Sequence, residues 1–293
     1  MKFDIFTFTR KIHRPLLLDG AMGSLLQQKG IKAEGRLWTA KANLTNPELV
    51  FKIHESYIKA GADIITTNTF RTNPLAIKNF PQINFKYFVR SAVQLAKQAA
   101  QNHNVLIAGS NSPAEDSYQV ERTVTKKQLA HNHKNHIDEL MQNGCSFVLN
   151  ETHGHFDEIK IICDYCSKKN IPFVLSLFVK NNLTLLSGEH LTEVIKYILD
   201  HNPLAVGFNC LRSDVFDKIY RKIKFNFNWG VYLNLGSGND TDSKITAAVS
   251  PNLYAEIMKR YLPQKPSFIG GCCGSNPNHI KKLKKMLDER IIY

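Results

Sequence analysis

The stretch Ser267-Phe268-Ile269-Gly270-Gly271-Cys272-Cys273-Gly274 joins a short apolar run to two adjacent cysteines. The run, followed by Ser275-Asn276-Pro277, predicts a strand that ends in a loop and leads into a helix. Adjacent cysteines rarely bridge each other, because the small ring forces a strained geometry. They can instead place two thiolates on one metal ion, with glycines allowing close backbone approach. The alternative is that both cysteines pack as small hydrophobic residues at a tight turn.

A tetrahedral zinc site needs at least a third protein ligand. Cys210 is the candidate, because it ends the apolar run Val206-Gly207-Phe208-Asn209-Cys210, which is also typical of a strand. Its partners lie 62 and 63 positions further along the chain, so a shared site requires a fold that brings two strand ends together.

The rest of the sequence alternates short apolar runs with helical patterns, which predicts an α/β fold. The predicted strands are 15–19, 63–67, 105–108, 146–149, 173–178, 205–208, 229–233 and 267–269. The predicted helices are 47–60, 85–102, 126–143, 156–169, 190–201, 213–223, 251–262 and 277–287. Eight units predict a single-domain (β/α)₈ TIM barrel over residues 15–293, after an N-terminal extension of residues 1–14. The alternative is an open doubly wound sheet, but Asp19-Gly20-Ala21-Met22-Gly23 lacks its glycine fingerprint.

In a (β/α)₈ barrel, functional side chains gather at the carboxyl ends of the strands. The predicted strand ends place polar and thiol side chains around one mouth: Asp19, Asn68, Ser110, Glu151, Cys210, Asn234, Cys272 and Cys273. This arrangement brings Cys210 and Cys272 together despite their separation in sequence.

The composition narrows the class of protein. The 293 residues are 43% hydrophobic, which is enough for a sizeable core. The net charge of +13 suggests nucleic acid as a possible partner, but the basic residues are spread along the chain, so we expect a solvated surface and no nucleic-acid binding. No run reaches the length of a membrane span, and residues 1–14 lack a secretory pattern. Six cysteines without such a signal predict reduced thiols and a cytoplasmic protein.

These motifs resemble those of the homocysteine S-methyltransferases. Asn209-Cys210 and Gly270-Gly271-Cys272-Cys273-Gly274 match the family's zinc-binding motifs, and Leu17-Leu18-Asp19-Gly20-Ala21-Met22-Gly23 resembles its opening motif. Residues 63–70 are similar to its second strand and Glu151-Thr152 to the end of its fourth. The resemblance extends from about Pro15 to Leu287.

The resemblance implies a zinc-dependent enzyme that methylates the thiol of homocysteine to form methionine. Cys210, Cys272 and Cys273 would be its catalytic zinc ligands, and Asp19 and Glu151 would bind the amino group of homocysteine. From the residues alone, the alternatives are that Asp19 is a turn cap and that Glu151 is a structural ion-pair partner. Trp38 suits a cationic methyl donor through cation–π attraction, or is a packing residue. Asn234 borders the expected donor side.

The methyl donor is predicted to be a small cation. Residues 37–49 and the end of the sequence at Tyr293 resemble relatives that use a sulfonium, namely S-methylmethionine or S-adenosylmethionine. The loop Ser110-Asn111-Ser112-Pro113-Ala114 and Leu233 depart from the family pattern on the donor side. The alternatives are a betaine-type donor and a non-catalytic zinc or thiol protein. The sequence leaves the oligomeric state open.

Other cysteines and histidines receive structural interpretations. Cys163 and Cys166 form a C-x-x-C on a predicted helix, which favours core or surface thiols over a second metal site. We expect His131, His133 and His136 to be solvated on a polar helix. His153 and His155 follow Glu151 and are weaker candidates for substrate contact.

Overall fold

Eight parallel strands form the centre of the computed structural model, which describes residues 13–237 and 245–291. The strands are β1 (Leu16–Leu17), β2 (Ile64–Thr66), β3 (Leu106–Asn111), β4 (Phe147–His153), β5 (Phe173–Leu177), β6 (Ala205–Asn209), β7 (Trp229–Leu233) and β8 (Phe268–Gly271). Their order in the sheet is β1-β8-β7-β6-β5-β4-β3-β2. A parallel bridge between Leu18 and Ile64 joins β1 to β2 and closes the ring. The (β/α)₈ barrel is confirmed, and the open sheet is wrong.

Helices cover the outside of the barrel. They are α1 (Met22–Gln28), α2 (Ala42–Thr45), α3 (Pro47–Lys59), α4 (Phe85–Ala100), α5 (Lys126–Gln142), α6 (Phe156–Lys169), α7 (Leu191–Leu199), α8 (Ser213–Lys222), α9 (Pro251–Lys259) and α10 (Pro277–Ile291). All eight predicted helices are present, with ends within a few residues of the prediction. The sequence patterns did not predict α1 and α2, which are short and have no side-chain cap at their N-termini.

Two apolar layers follow from the alternation of side chains along the strands. In β1 and the residue after it, Leu16 and Leu18 point into the barrel, where they join an inner cluster that includes Phe147 and Phe268. Leu17 points outward into the larger cluster between strands and helices. The inner cluster fills the barrel below its mouth, so the polar strand ends lie on an apolar floor.

A short antiparallel hairpin lies outside the barrel, where Gly236–Ser237 pairs with Thr246–Ala247 between β7 and α9. Before β1, Arg14 forms an ion pair with Asp63, with 2.6 Å between Nη1 and Oδ2, and Asp63 also accepts a hydrogen bond from the Leu17 backbone. Most of the expected N-terminal extension lies outside the described residues. Within the described residues, none of the helices combines the length and the apolar character needed to cross a bilayer.

The structure corrects the expectation that the histidines of α5 are solvated. His131 is exposed, but His133 and His136 are fully buried between α5 and the barrel. His133 contacts Glu158 (Nε2 to Oε1, 2.8 Å), and His136 contacts Asn111 and Thr72. Because these imidazoles have polar partners behind the barrel wall, burial costs them little.

Candidate active site

A cavity of about 500 Å³ opens at the carboxyl ends of the strands. Side chains from the ends of β1, β2, β3, β4, β6, β7 and β8 line it, together with the loops that follow β1, β2 and β3. The predicted site residues Asp19, Glu151, Trp38 and the three cysteines are all in this lining. The barrel therefore assembles in one cavity residues that are far apart in sequence.

Three cysteine sulfurs cluster on one side of the cavity. The Sγ atoms of Cys210, Cys272 and Cys273 all lie within 4.8 Å of one another, and Cys210 Sγ is 3.6 Å from Cys273 Sγ. Cys210 and Cys272 are joined as a disulfide in this structure, and Cys273 lies beside this pair without being part of the disulfide. The expectation of reduced thiols holds for Cys273 and the three cysteines outside the cluster, but not for this pair.

The backbone around the cysteines is tightly specified. Cys210 adopts a left-handed conformation with φ of 53° directly after β6, a conformation that costs energy for a residue with a side chain. The Cys272 amide donates to the Leu233 carbonyl at 3.0 Å, and the Cys273 carbonyl accepts from Leu235 at 2.8 Å. At Gly274, φ is 81° and an added Cβ would lie 2.5 Å from a backbone nitrogen. Only glycine lets the two loops approach this closely.

Asn209, the neighbour of Cys210, connects the cysteines to β4. Its side-chain oxygen accepts from the Thr152 amide at 2.8 Å, and its side-chain nitrogen donates to Thr152 Oγ1 at 2.7 Å. The same nitrogen lies 3.9 Å from Cys272 Sγ. Thr152 has a φ of 64° and follows Glu151. No role was predicted for Asn209 from the sequence, although Asn209 stands beside Cys210 at a predicted strand end.

Asp19 is buried at the end of β1 and is oriented by β2. Its two carboxylate oxygens accept hydrogen bonds from the Thr66 amide and the Thr66 hydroxyl, both at 2.8 Å. Desolvation nevertheless raises the pKa of Asp19 to about 8, and the nearby Glu151 adds to the rise. A carboxyl group in this state gains strongly from a cation placed beside it.

Glu151 faces the same cavity from β4. The Ser110 hydroxyl donates to its Oε1, and the Tyr232 hydroxyl donates to its Oε2 at 3.3 Å. Desolvation raises the pKa of Glu151 to about 7. Among the described residues, no lysine, arginine or histidine forms an ion pair with Asp19 or Glu151. Together the two carboxyl groups form a site suited to an ammonium ion.

The residues expected on the donor side differ in position. The ring of Trp38 lines the cavity and contacts Phe70 edge to face, with 6.4 Å between ring centroids. It packs over Gly23, where an added Cβ would lie 2.2 Å from the indole. Asn234 is not part of the cavity lining, and its side-chain oxygen accepts from the Gly236 amide at 2.9 Å. Asn234 therefore shapes the start of the hairpin.

The remaining candidates are structural. Cys163 and Cys166 are fully buried in the outer apolar layer, in agreement with the interpretation as core thiols. His153 is buried and lies 3.2 Å from the Asn111 carbonyl, and His155 lies 2.8 Å from the Gln119 carbonyl. Neither histidine lines the cavity.

Two other lining residues, Arg71 and Glu115, were not predicted from the sequence, because both lie in loops without periodic patterns.

The cysteine cluster fits a metal ion once the disulfide is reduced. Three thiolates from the ends of β6 and β8 are a donor set suited to a soft or borderline metal. In the described part of the chain, this is the sole cluster of three or more cysteine, histidine or acidic side chains with such spacing. A (β/α)₈ barrel with a cysteine cluster and two carboxyl groups at its mouth is typical of a barrel enzyme, here with a candidate metal centre.

Comparison with known proteins gives the family. Residues 16–287 match the homocysteine S-methyltransferase family, and the chain belongs to that family. It is 24% identical to the homocysteine S-methyltransferase of Escherichia coli over 92% of this chain and 94% of that protein. It is 25% identical to homocysteine S-methyltransferase 3 of Zea mays over 94% of this chain and 90% of that protein. The metallated form of the Escherichia coli homocysteine methyltransferase MmuM has the same fold, with a TM-score of 0.78, 24% identity and coverage of 94% and 99%.

Proposed function

We propose that this protein transfers a methyl group from a small sulfonium donor to the thiol of homocysteine, with Zn²⁺ held by Cys210, Cys272 and Cys273. One observation carries the proposal: the three sulfurs lie in the same cavity as two carboxyl groups that have no cationic partner among the described residues. Family membership supports the acceptor, since relatives from bacteria and plants are named homocysteine S-methyltransferases.

The cysteines supply the nucleophile's environment. Reduction of the Cys210–Cys272 pair must come first, because thiolates and not disulfide sulfurs bind the metal. Bound zinc would keep the homocysteine sulfur deprotonated and electron-rich at neutral pH, whereas a free thiol has a pKa near 8.5. The hydrogen bond from Asn209 to Cys272 Sγ fixes one ligand and moderates its negative charge.

Asp19 and Glu151 position the amino acid. An ammonium group bound by both acids favours their ionised forms. Binding of the substrate therefore offsets the desolvation that raises the pKa values of Asp19 and Glu151. Both acids are held by hydrogen bonds from neighbouring strands, and this rigidity fixes the substrate's α-carbon relative to the cysteines.

The donor side suits a cation with a neutral leaving group. Trp38 and Phe70 present aromatic surface to the cavity. Such rings attract a sulfonium by cation–π interaction, which does not require a carboxylate beside the sulfur. Because the departing thioether is neutral, the reaction needs no general acid. This chemistry favours S-methylmethionine, with S-adenosylmethionine as a bulkier second donor.

The proposal is tested with reduced, zinc-loaded protein and homocysteine, with methionine as the product measured. We expect methionine from S-methylmethionine, slower formation from S-adenosylmethionine and little from betaine.

The ligand assignment is tested by substitution. Cys273→Ser should lose most of its zinc, because a hydroxyl stays protonated and binds the metal poorly, and its activity should fall by at least about 100-fold. Cys145→Ala, which removes a buried thiol outside the cluster, should keep both.

Two results would count against this proposal. Zinc content that is unchanged in Cys273→Ser would remove the ligand assignment. Betaine turning over faster than both sulfonium donors would replace the donor while leaving the thiol acceptor in place.

A further inference from the structure

Arg71 places a positive charge in the wall of the cavity, five residues beyond the end of β2. Its side chain is 14% exposed, and it is part of the cavity lining. Burial lowers the pKa of its guanidinium, with the cavity residue Arg36 adding a smaller repulsion. A buried arginine at a cavity wall is costly unless something compensates its charge.

The protein compensates this charge only in part. Arg71 Nη1 donates to the Glu115 carbonyl at 2.8 Å, which is a neutral acceptor. The nearest carboxylate oxygen, Oδ2 of Asp116, is 3.8 Å away, beyond hydrogen-bond distance, and the Asp116 side chain is 60% exposed. A guanidinium has five N–H donors in a planar fork that matches a carboxylate. The site is therefore set to accept an anionic group from the cavity.

Arg71 and the two carboxyl groups of the ammonium site belong to different parts of the fold. Asp19 and Glu151 lie at the strand ends, whereas Arg71 and its partner Glu115 both lie in loops beyond β2 and β3. The guanidinium stacks on Phe70, with 5.0 Å from Cζ to the ring centroid. Phe70 in turn contacts Trp38. The positive charge thus adjoins the aromatic surface that suits the sulfonium.

We propose that Arg71 binds the carboxylate of an amino-acid methyl donor and so selects a zwitterionic sulfonium such as S-methylmethionine. This inference rests on the proposed methyl transfer and adds a subsite to it. Homocysteine has its carboxylate on the same carbon as the ammonium held at the strand ends, so its carboxylate stays in that layer. The donor carries its carboxylate several bonds away from the sulfonium, which allows the sulfonium to face the cysteines while the carboxylate reaches the loop layer.

Binding measurements test the subsite without requiring turnover. Isothermal titration calorimetry of the reduced zinc protein compares S-methyl-L-methionine with S-methyl-L-methioninamide, which keeps the sulfonium and the α-amino group but lacks the carboxylate. We expect the wild type to bind the acid about 10–100-fold more tightly than the amide. Arg71→Gln should abolish that preference while changing amide affinity by less than about threefold. Arg71→Lys, which keeps the charge but not the fork, should be intermediate.

Arg260→Gln is the matched control. Arg260 also lies over an aromatic ring, 5.5 Å from the Tyr261 centroid, and 3.5 Å from Asp217, but it precedes β8 at the opposite end of the barrel. It should leave the acid-to-amide ratio unchanged. Thermal unfolding of each variant shows whether it is folded. If Arg71→Gln does not fold, Arg71→Lys takes its place in the binding test.

The outcomes separate this inference from the proposed function. Equal binding of acid and amide by the wild type, or equal losses for both in Arg71→Gln, would overturn the subsite. A rise in the KM for homocysteine instead of weaker donor binding would assign Arg71 to the acceptor and also overturn it. A wild type that binds S-methylmethionine through Arg71 but forms no methionine would refute the methyl transfer alone.

Discussion

Glu151 and Glu158 are seven residues apart, on β4 and on the helix that follows it, yet their surroundings are opposite. Glu158 is fully buried behind the barrel wall, where it accepts hydrogen bonds from the Ala114 amide at 2.6 Å and from Arg122 at 3.1 Å. His133 Nε2 lies 2.8 Å from Oε1, the same oxygen that accepts from the Ala114 amide. Among the residues that the structure describes, Glu151 has only the hydroxyl groups of Ser110 and Tyr232 as side-chain partners.

The pKa values follow these surroundings. Hydrogen bonding and charge attraction from His133 and Arg122 outweigh desolvation and hold the pKa of Glu158 well below its usual range. Desolvation raises the pKa of Glu151 to about 7, and the same cause raises that of Asp19 to about 8. A carboxylate that the protein itself compensates stabilises the fold, while one that it leaves uncompensated is available to a cationic ligand.

The largest expected effect is on stability at Glu158. Glu158→Gln should lower the free energy of unfolding by about 3 kcal/mol, because it removes a fully buried carboxylate that accepts from the Ala114 amide and from Arg122, although Arg122 keeps its ion pairs with Glu115 and Asp157. Glu151→Gln should change it by less than about 1 kcal/mol at pH 7, since Glu151 has no ionic partner to lose among the described residues. Urea unfolding of the metal-free, reduced proteins measures both. Equal destabilisation by the two substitutions would remove the distinction between the two regions.

The second expected effect is on homocysteine binding at Glu151. Glu151→Gln should weaken it by about 2–3 kcal/mol, a factor of about 30–150, because the amide keeps the shape and loses the charge that holds the ammonium. Zinc content should stay unchanged, because Glu151 is not a metal ligand. The KM for homocysteine and metal analysis provide the two readouts.

Glu48→Gln is the control for this substitution, since it removes an exposed charge paired with Lys52 on α3. It should change neither readout. Loss of zinc in Glu151→Gln would mean that Glu151 supports the cysteine cluster rather than the substrate.

Much of the fold and part of the site could be predicted from the sequence. The strands could be predicted from apolar runs, and Asp19, Glu151 and Cys210 stand at the ends of three of these runs. Because the strands of a (β/α)₈ barrel are parallel, the predicted topology placed these three residues at one mouth. The burial of His133 and His136 was also readable, because they share the helical spacing of Leu129, Ile137 and Leu140 on the buried face of α5. The prediction that these histidines are solvated was wrong because it relied on their polarity rather than on that spacing.

Other features had no local signal. Arg71 and Glu115 meet only because the loops after β2 and β3 fold over the cavity, and such contacts depend on tertiary packing. The two hydrogen bonds between Asn209 and Thr152 depend on the registers of β4 and β6, to which β5 contributes as the strand between them. Neither the pairing of Cys210 with Cys272 nor the separation of Asn234 from the cavity could be derived from spacing.

The smallest expected effect is a difference in pH dependence between the two regions. The native pKa of Glu151 lies above its unfolded value near 4.5, so the native state binds more protons between about pH 4.5 and 7, and stability falls as the pH rises through that range. Glu151→Gln removes this loss, so relative to the wild type it should gain about 2 kcal/mol in free energy of unfolding from pH 5 to pH 8. The native pKa of Glu158 lies below 4.5, so the penalty of Glu158→Gln should stay constant over that range and shrink only at lower pH. Urea unfolding of the metal-free, reduced proteins at pH 4, 5 and 8 measures both trends. A penalty at Glu151 that grew with pH would show that its carboxylate is compensated within the protein, as that of Glu158 is.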